Sequence, residues 1–389
     1  MASCIVSLSH EMEAVLSSPA RSDAGRSRWG QPPWKIDFQP PPRLVPEQVD
    51  LAIVGGGFTG LAAAAWLRRI DSAKTVAVFE AQSIGSGSSG RTGGMVLGES
   101  AAGDLPGLGD VLEGFSSALR ALAVDCDLAL PGAWEIGRGN PLSNSPIAWQ
   151  DSGDLRTISE VPGGTLDPGK LVSGLARAAD RLGALIVENA PVEGLRFEDS
   201  LRLRVREREV RASHVILATN AFALEMTGLA KRAEPKLTLV VATAPLDPAQ
   251  LEVLGLASGR PFYTIDLPYL WGRVLHTNGV IFGGGLVDVK NWRELETQDI
   301  ATGKSAELIA KVERRVRELH PALRSTGFSH WWGGPILIGP DWQPVFKAHR
   351  SLPNTTVLGA YSGHGVALSV YLGCWAAEAA LGRKALPIW

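Results

Sequence analysis

Cysteine is scarce. Cys4, Cys126 and Cys374 are the three in a chain of 389 residues. They are too few and too scattered for a disulfide framework or a zinc site, so a reducing, cytoplasmic setting is expected. Cys374 falls in an apolar helical run and reads as a small buried hydrophobe. An excess of one charge is lacking too. Thirty-eight basic residues stand against 40 acidic ones, a net charge of −2, which leaves no basic footprint for nucleic acid. His276, His330 and His349 show no ligand spacing, and no metal site is expected. The opening MASCIVSLSHEMEAVLSS has acidic residues and no basic start, so it does not read as a secretory signal; Met12 is a second candidate start. The longest apolar stretch, LAIVGGGFTGLAAAAWL (Leu51 to Leu67), is broken by four glycines. It reads as a buried strand, a turn and a helix rather than a membrane span, and no membrane partner is expected. Tyrosine is rare and tryptophan is not: four against twelve. That ratio hints at aromatic-lined pockets in addition to core packing.

The length suggests two domains, and 45% hydrophobic against 20% charged residues supplies ample core for both. Residues 1–48 are rich in Pro, Ser and Arg, with PPW and QPPP, and read as an extended arm that Trp29 and Trp34 are suited to pin. From Val49 the order is strand (VDLAIV), glycine turn, helix (GLAAAAWLRRI), strand (TVAVFE), a βαβ unit with buried parallel strands. A Gly/Ser loop follows from Ser83 to Gly94. Residues 110–125 read as a helix and 126–165 as irregular. DPGKLVSGLARAADRLGALIVENAPV reads as helix then strand, LRLRVREREV as a hairpin-like pair, and HVILATNA as a buried strand. Residues 236–286 hold several strands, including KLTLVVATA and GVIFGGG. In SAELIAKVERRVRELH, Leu308, Ile309, Val312, Val316 and Leu319 share one helix face. NTTVLGA and VALSVYLGCWAAEAAL close the chain as strand and helix. There is no internal repeat. The expected class is α/β: a discontinuous Rossmann-like nucleotide domain (49–125, 165–225 and 335–389) with an inserted α+β substrate domain (126–164 and 226–334) on a mainly antiparallel sheet.

Gly55-Gly56-Gly57-Phe58-Thr59-Gly60 fits G-x-G-x-x-G, and it follows a strand and opens a helix. Glu80 and Ala81 end the next strand, with Glu80 twenty residues after Gly60. The glycines allow a tight turn and close approach to a pyrophosphate, and the acid takes ribose hydroxyls, which disfavours NADP. Ala218 and Thr219 in HVILATNA give a small-residue turn that a large flat cofactor requires. In GAYSGHGVALSVYLG (Gly359 to Gly373), Ser362, Gly363, His364, Gly365 and Val366 form a second glycine turn opening a helix. A site completed so late in the chain suits an extended cofactor, FAD, better than NAD. An NAD-dependent dehydrogenase and a flavoprotein subunit with structural FAD are the competing readings.

Together DLAIVGGGFTGLAAA, SIGSGSSGRTGGM, HVILATNA, NGVIFGGG and VLGAYSGHGVALSVYLG resemble the D-amino-acid oxidase-like family of FAD oxidoreductases (the glycine, sarcosine and γ-glutamylputrescine oxidase group). SSGRTGG and WWGG (Trp331 to Gly334) look most like the γ-glutamylputrescine oxidase branch. The resemblance implies an FAD domain and a substrate domain with the flavin between them. It puts Gly55, Gly57, Phe58, Thr59 and Gly60 at the pyrophosphate and Glu80 at the adenosine ribose. Ser89, Gly90, Arg91, Thr92, Gly93, Gly94 and Met95 would wrap the ribityl chain and flavin edge, and Val192 would meet the adenine side. Gly333 and Gly334 would also border the cofactor. The helix opened at Ser362–Val366 would aim its positive end at reduced flavin. The expected chemistry is hydride transfer from a carbon beside nitrogen to flavin N5, giving an imine that hydrolyses, with oxygen or another electron acceptor.

Departures shape the substrate expectation. WWGGPILIGPD has no cysteine, so FAD is expected to be non-covalent. Gly334 stands where relatives clamp a carboxylate with arginine, Ala367 where sarcosine oxidases use lysine, and Ile281 where their oxygen-activating lysine sits. A small-molecule amine, or an amino acid held another way, is therefore expected. Arg273, Tyr269, His364 and Trp332 are the candidate catalytic residues. Arg273 is read either as a replacement clamp or as a structural or surface arginine, and Tyr269 with Trp271 either as an aromatic wall for a cation or as core packing. His364 could titrate near neutrality, but local packing around a turn working through backbone N–H groups is the preferred reading. Homo-oligomerisation is left open.

Overall fold

The computed structural model describes residues 28–389; Cys4, Met12 and the opening segment lie outside the described residues. In chain order the elements are β1 (Gln48–Val54), α1 (Phe58–Ile70), β2 (Val76–Phe79), β3 (Met95–Leu97), α2 (Val111–Leu122), β4 (Ala133–Gly137), β5 (Ala148–Gln150), β6 (Asp154–Val161), β7 (Gly163–Thr165), α3 (Pro168–Arg181), β8 (Leu185–Val187), β9 (Val192–Phe197) and β10 (Leu201–Val205). They continue with β11 (Arg208–Leu217), α4 (Leu224–Thr227), β12 (Glu234–Thr243), α5 (Pro248–Val253), β13 (Phe262–Thr264), β14 (Trp271–Val274), β15 (Val280–Asp288), α6 (Trp292–Thr297), α7 (Gly303–Leu319), β16 (Phe328–Ile338), β17 (Val345–Ala348), β18 (Thr355–Gly359) and α8 (Gly365–Ala380).

The first sheet runs β17-β18-β11-β1-β2-β8, with β9 and β10 as a flap on β11. Its central pairs are parallel. Every residue of β2 and β18 is buried, as expected of strands covered on both faces. The cover is close because the helices carry small residues. A Cβ on Gly60 of α1 would lie 2.0 Å from Gly55 O, and one on Gly373 of α8 would lie 2.6 Å from Thr59 O. The second sheet runs β16-β12-β15-β14-β13-β4-β6-β5. It is antiparallel except for β13 on β4, and Trp149, Phe262 and Phe282 form an aromatic cluster beneath it. Helix α7 buries Ile309, Val312, Val316 and Leu319.

Residues 126–165, expected to be irregular, contain β4 to β7. These strands run from three to eight residues. Breaks by Pro and Gly keep the alternation too short to register; β4, β5 and β6 are set by pairing among themselves, with β13 on β4 and β3 on β7.

The arm from residue 28 to 47 crosses both sheets, with one isolated bridge between Gly30 and Trp332. Trp29 stacks on Phe222 and its indole donates to Leu295 O at 2.9 Å. Trp34 meets Trp332 edge-on and donates to Gly90 O at 2.8 Å. The backbone N–H of Gly333 donates to Trp29 O at 2.7 Å.

Candidate active site

A cavity of about 1080 Å³ lies between the two sheets. One end is formed by Gly55–Thr59, Glu80, Ala81 and Val192, and the other by Tyr269, Trp271, Leu286 and Trp342.

At the first end the glycine turn makes its own case. Gly55 sits at φ 110°, and a Cβ there would lie 2.6 Å from Ala218 O; only glycine fits this conformation and this space. Helix α1 begins at Gly57 with no capping side chain and no acid in its first turn. Ser89 Oγ accepts from Phe58 N–H at 2.9 Å. Glu80 accepts from Gly56 N–H at 2.7 Å and from Gln82 N–H at 2.9 Å. Burial pushes the Glu80 carboxyl above the ordinary carboxylate range, against the pull of these bonds.

The loop Ser83–Gly94 is tied from behind. Trp34 donates to Gly90 O at 2.8 Å, Trp332 to Arg91 O at 2.9 Å and Arg273 Nε to Gly93 O at 2.5 Å. Ser88 Oγ donates to Pro335 O at 2.6 Å. Ser89, Arg91, Thr92, Gly93 and Met95 are left lining the cavity. Arg91 donates to Gly30 O at 2.8 Å and Ser86 O at 3.2 Å and lies over the Trp29 ring. Burial lowers its pKa to about 10, so it stays charged at neutral pH.

The second glycine turn faces the first. Ala360 (φ 54°), Ser362 (φ 51°) and Gly363 (φ 90°) are left-handed, a concentration of backbone strain of the kind functional turns carry. The hydroxyls of Thr59 and Tyr361 hydrogen bond at 2.7 Å, joining the two turns. Asn220 bridges further: its amide donates to Ser88 Oγ at 3.0 Å and its carbonyl accepts from Ala360 N–H at 3.0 Å. Helix α8 starts after His364 with no side-chain cap and no acid in its first turn. His364 lines the cavity. Its Nδ1 is buried without a hydrogen-bond partner, and burial lowers the imidazole pKa.

The expected site residues divide on this geometry. Gly55, Gly57, Phe58, Thr59, Glu80, Ala81, Val192, Ala218, Thr219, Gly334, Tyr269 and Ser362–Val366 all line the cavity. Arg273 does not. It is 7% exposed, and its guanidinium braces Gly93 O and Val274 O; desolvation lowers its pKa to about 10. A side chain committed behind the loop cannot clamp a substrate carboxylate. Trp332 is fully buried and serves the same back wall, so it is not a residue that touches substrate. Gly60, Gly90, Gly94 and Gly333 pack against backbone or core atoms instead of bordering the cavity: a Cβ would meet Gly55 O, Gly85 O, Leu166 O and Leu237 respectively. Ala367 faces the core, so the missing lysine at that position says less about the substrate than expected. Ile281 sits in a small apolar cluster with Trp332, beside Trp34 and Trp271.

Sequence reading took Trp29 for an arm anchor and missed Phe222 and Trp292; all three line the cavity, from three separate segments, and the tryptophan excess signalled the two indoles but not Phe222. It also missed Asn220 and Tyr361, which were visible in HVILATNA and GAYSGHG but were read there for their small neighbours. Among the described residues no helix is long and apolar enough to cross a membrane, and no three or more His, Cys, Asp or Glu gather as a metal would require.

The family described as "DAO: FAD dependent oxidoreductase" matches residues 50–379. A "Probable oxidoreductase OrdL" of Rhizobium meliloti is 26% identical over 381 residues, covering 87% of this chain and 84% of that protein. A gamma-glutamylputrescine oxidoreductase of Escherichia coli is 26% identical over 377 residues, covering 85% and 83%. The crystal structure of glycine oxidase from Geobacillus kaustophilus superposes with a TM-score of 0.68 at 19% identity, covering 87% of this chain and 96% of that one, a likeness of fold.

Proposed function

Because the chain belongs to the DAO family of FAD-dependent oxidoreductases, we propose that it oxidises the C–N bond of an amine, or of an amino acid not held by a carboxylate clamp. The observation that carries this reading is the charge of the cavity wall. Among the described residues lining it, Arg91 is the only Lys or Arg, and its guanidinium is engaged by Gly30 O, Ser86 O and the Trp29 ring. Recognition of a substrate carboxylate calls for a bidentate Arg or a Lys point charge, and the Tyr269–Trp271 end offers neither.

The chemistry that FAD supplies when bound is two-electron acceptance: a hydride leaves the carbon beside nitrogen, and water hydrolyses the resulting imine. The residues present fit the cofactor. The uncapped start of α1 with its glycine turn suits a pyrophosphate, and Glu80 suits ribose hydroxyls. The loop from Ser89 to Met95, with its carbonyls drawn back by Trp34, Trp332 and Arg273, gives a fixed wall for the ring edge. The start of α8, which has no side-chain cap, would offer about half a positive charge to the negative charge that reduced flavin carries. His364, kept neutral by burial, offers a hydrogen-bonding nitrogen without adding charge. The apolar surroundings favour the neutral amine, the form that releases hydride. Cys126 and Cys374 are both buried and neither lines the cavity, which supports non-covalent attachment.

The test is anaerobic mixing of the purified yellow protein with panels of amines and α-amino acids. Bleaching of the flavin by amines is expected, and peroxide on readmitting air would identify oxygen as an acceptor. Bleaching confined to α-amino acids would refute the amine reading. Acid precipitation should leave the flavin in solution; flavin retained in the pellet would refute non-covalent attachment.

A further inference from the structure

Among the described residues eleven large hydrophobic side chains are exposed, and five of them line this one cavity: Ile265, Leu267, Tyr269, Leu286 and Trp342. Leu267 is 72% exposed. Apolar side chains gathered at a concave mouth are a binding surface rather than scattered surface residues. Three of the five sit on the segment between β13 and β14.

That segment is built to hold its shape. Thr264 N–H donates to Leu270 O at 2.8 Å, and Leu270 N–H returns to Thr264 Oγ1 at 2.9 Å, closing the loop at its base. At its crest Arg315 of α7 donates to two successive carbonyls, Pro268 O at 2.7 Å and Tyr269 O at 2.8 Å. The same guanidinium pairs with Asp151 at 2.5 Å, the two side chains being 15% and 9% exposed. Arg138 lies 3.5 Å from Asp151 and 3.6 Å from Asp266, which turns the acid of the loop away from the mouth. The planar fork of arginine suits this three-point attachment and an ammonium does not.

We propose that Thr264–Leu270 is the specificity loop of the site, positioned by Arg315 and Asp151, and that it selects amines whose nitrogen-bearing carbon carries an uncharged, apolar substituent. The proposal rests on the amine reading above. A carboxylate at this rim would lose water without gaining a partner, since Arg315 is taken up by Asp151 and two carbonyls. An apolar one would cover side chains now facing solvent.

The test measures binding to the FAD-loaded protein, read as a perturbation of the flavin spectrum. The probes are cumylamine and α-aminoisobutyrate, neither of which has a hydrogen on the carbon beside nitrogen, so neither is consumed. Cumylamine is expected to bind about tenfold more tightly or better. Leu267→Asp should abolish that preference. Arg315→Ala should weaken cumylamine binding by about tenfold with flavin content unchanged, and Arg315→Lys should restore only part of it. Equal binding, tighter binding of α-aminoisobutyrate, binding of neither probe, or a preference that survives Leu267→Asp would overturn the proposal. Should Arg315→Ala not fold, the wild-type and Leu267→Asp comparisons still decide. Failure of the amine reading shows separately, as a flavin that no amine bleaches.

Discussion

Glu80 combines two opposed influences. Desolvation raises its pKa while N–H donors from Gly56 and Gln82 favour its anion. In the apoprotein the carboxyl therefore takes up a proton at a higher pH than an ordinary carboxylate. Relative to the unfolded chain, this ionisation removes stability as pH rises from the ordinary carboxylate range through the raised pKa. On the proposed placement of the ribose its hydroxyls would donate to the ionised form, so FAD affinity is expected to fall as pH drops from neutrality through that same raised pKa. Fluorescence titration of apoprotein with FAD across this interval checks it, and Glu80→Gln should flatten the profile. Glu80→Ala should weaken FAD binding by about tenfold to a hundredfold. The place of Glu80 beside the glycine turn was legible because its distance from that turn is fixed by one βαβ unit. The two readings of Arg273 could not be separated from sequence, which shows which face of a strand a residue shares, not what covers that face; the structure favours the structural one. Trp271 and Arg273 lie on the same face of β14, but Gly94 and Leu166 close over the sheet at Arg273, while Trp271 reaches the cavity.

At the scale of elements, β14 and β15 place Trp271 directly opposite Gly283. A Cβ on Gly283 would lie 2.0 Å from the indole, and one on Gly93 would lie 2.3 Å from it. The ring fits because both neighbours are glycine, an arrangement in which an aromatic side chain covers the bare backbone of the facing strand. Gly283→Ala is expected to cost about 1–3 kcal/mol through overpacking, read as a lower urea midpoint with altered flavin absorbance. Adding Trp271→Leu should recover most of the midpoint, and additive losses would refute the contact. The GVIFGGG run was read as a strand and as part of the family resemblance, and the close approach of Trp271 to its glycines was not foreseen. The βαβ unit and the final strand and helix were legible because buried strands and glycine turns are dictated locally. The short strands β4 to β7 were not, since Pro and Gly break their alternation even where β4, β5 and β6 pair among themselves, and β4 and β7 take further partners from other segments.

Across the whole molecule, the arm from residue 28 binds the second sheet at Gly333 and the glycine loop at Gly90 and Arg91. Trp34→Ala should cost about 2 kcal/mol and speed FAD release, followed as flavin fluorescence after dilution; unchanged release would limit the arm to a packing role. Composition marked this arm as extended and Trp29 and Trp34 as its anchors, but its contact with the loop at the cavity wall depends on two sheets meeting, which no local pattern records. The order of the first sheet has a further consequence. Its strand β1 is flanked by β11, and β11 by β18, so Gly57 leaves the ribosome long before His364. The first glycine turn has its local partners, Glu80 and Ser89, early, but the wall that faces it waits until the strand and helix at the end of the chain have been made. Such non-local closure folds slowly, so a chain cut before β18 is expected to bind FAD far more weakly than the full chain, which flavin fluorescence titration of the two would check.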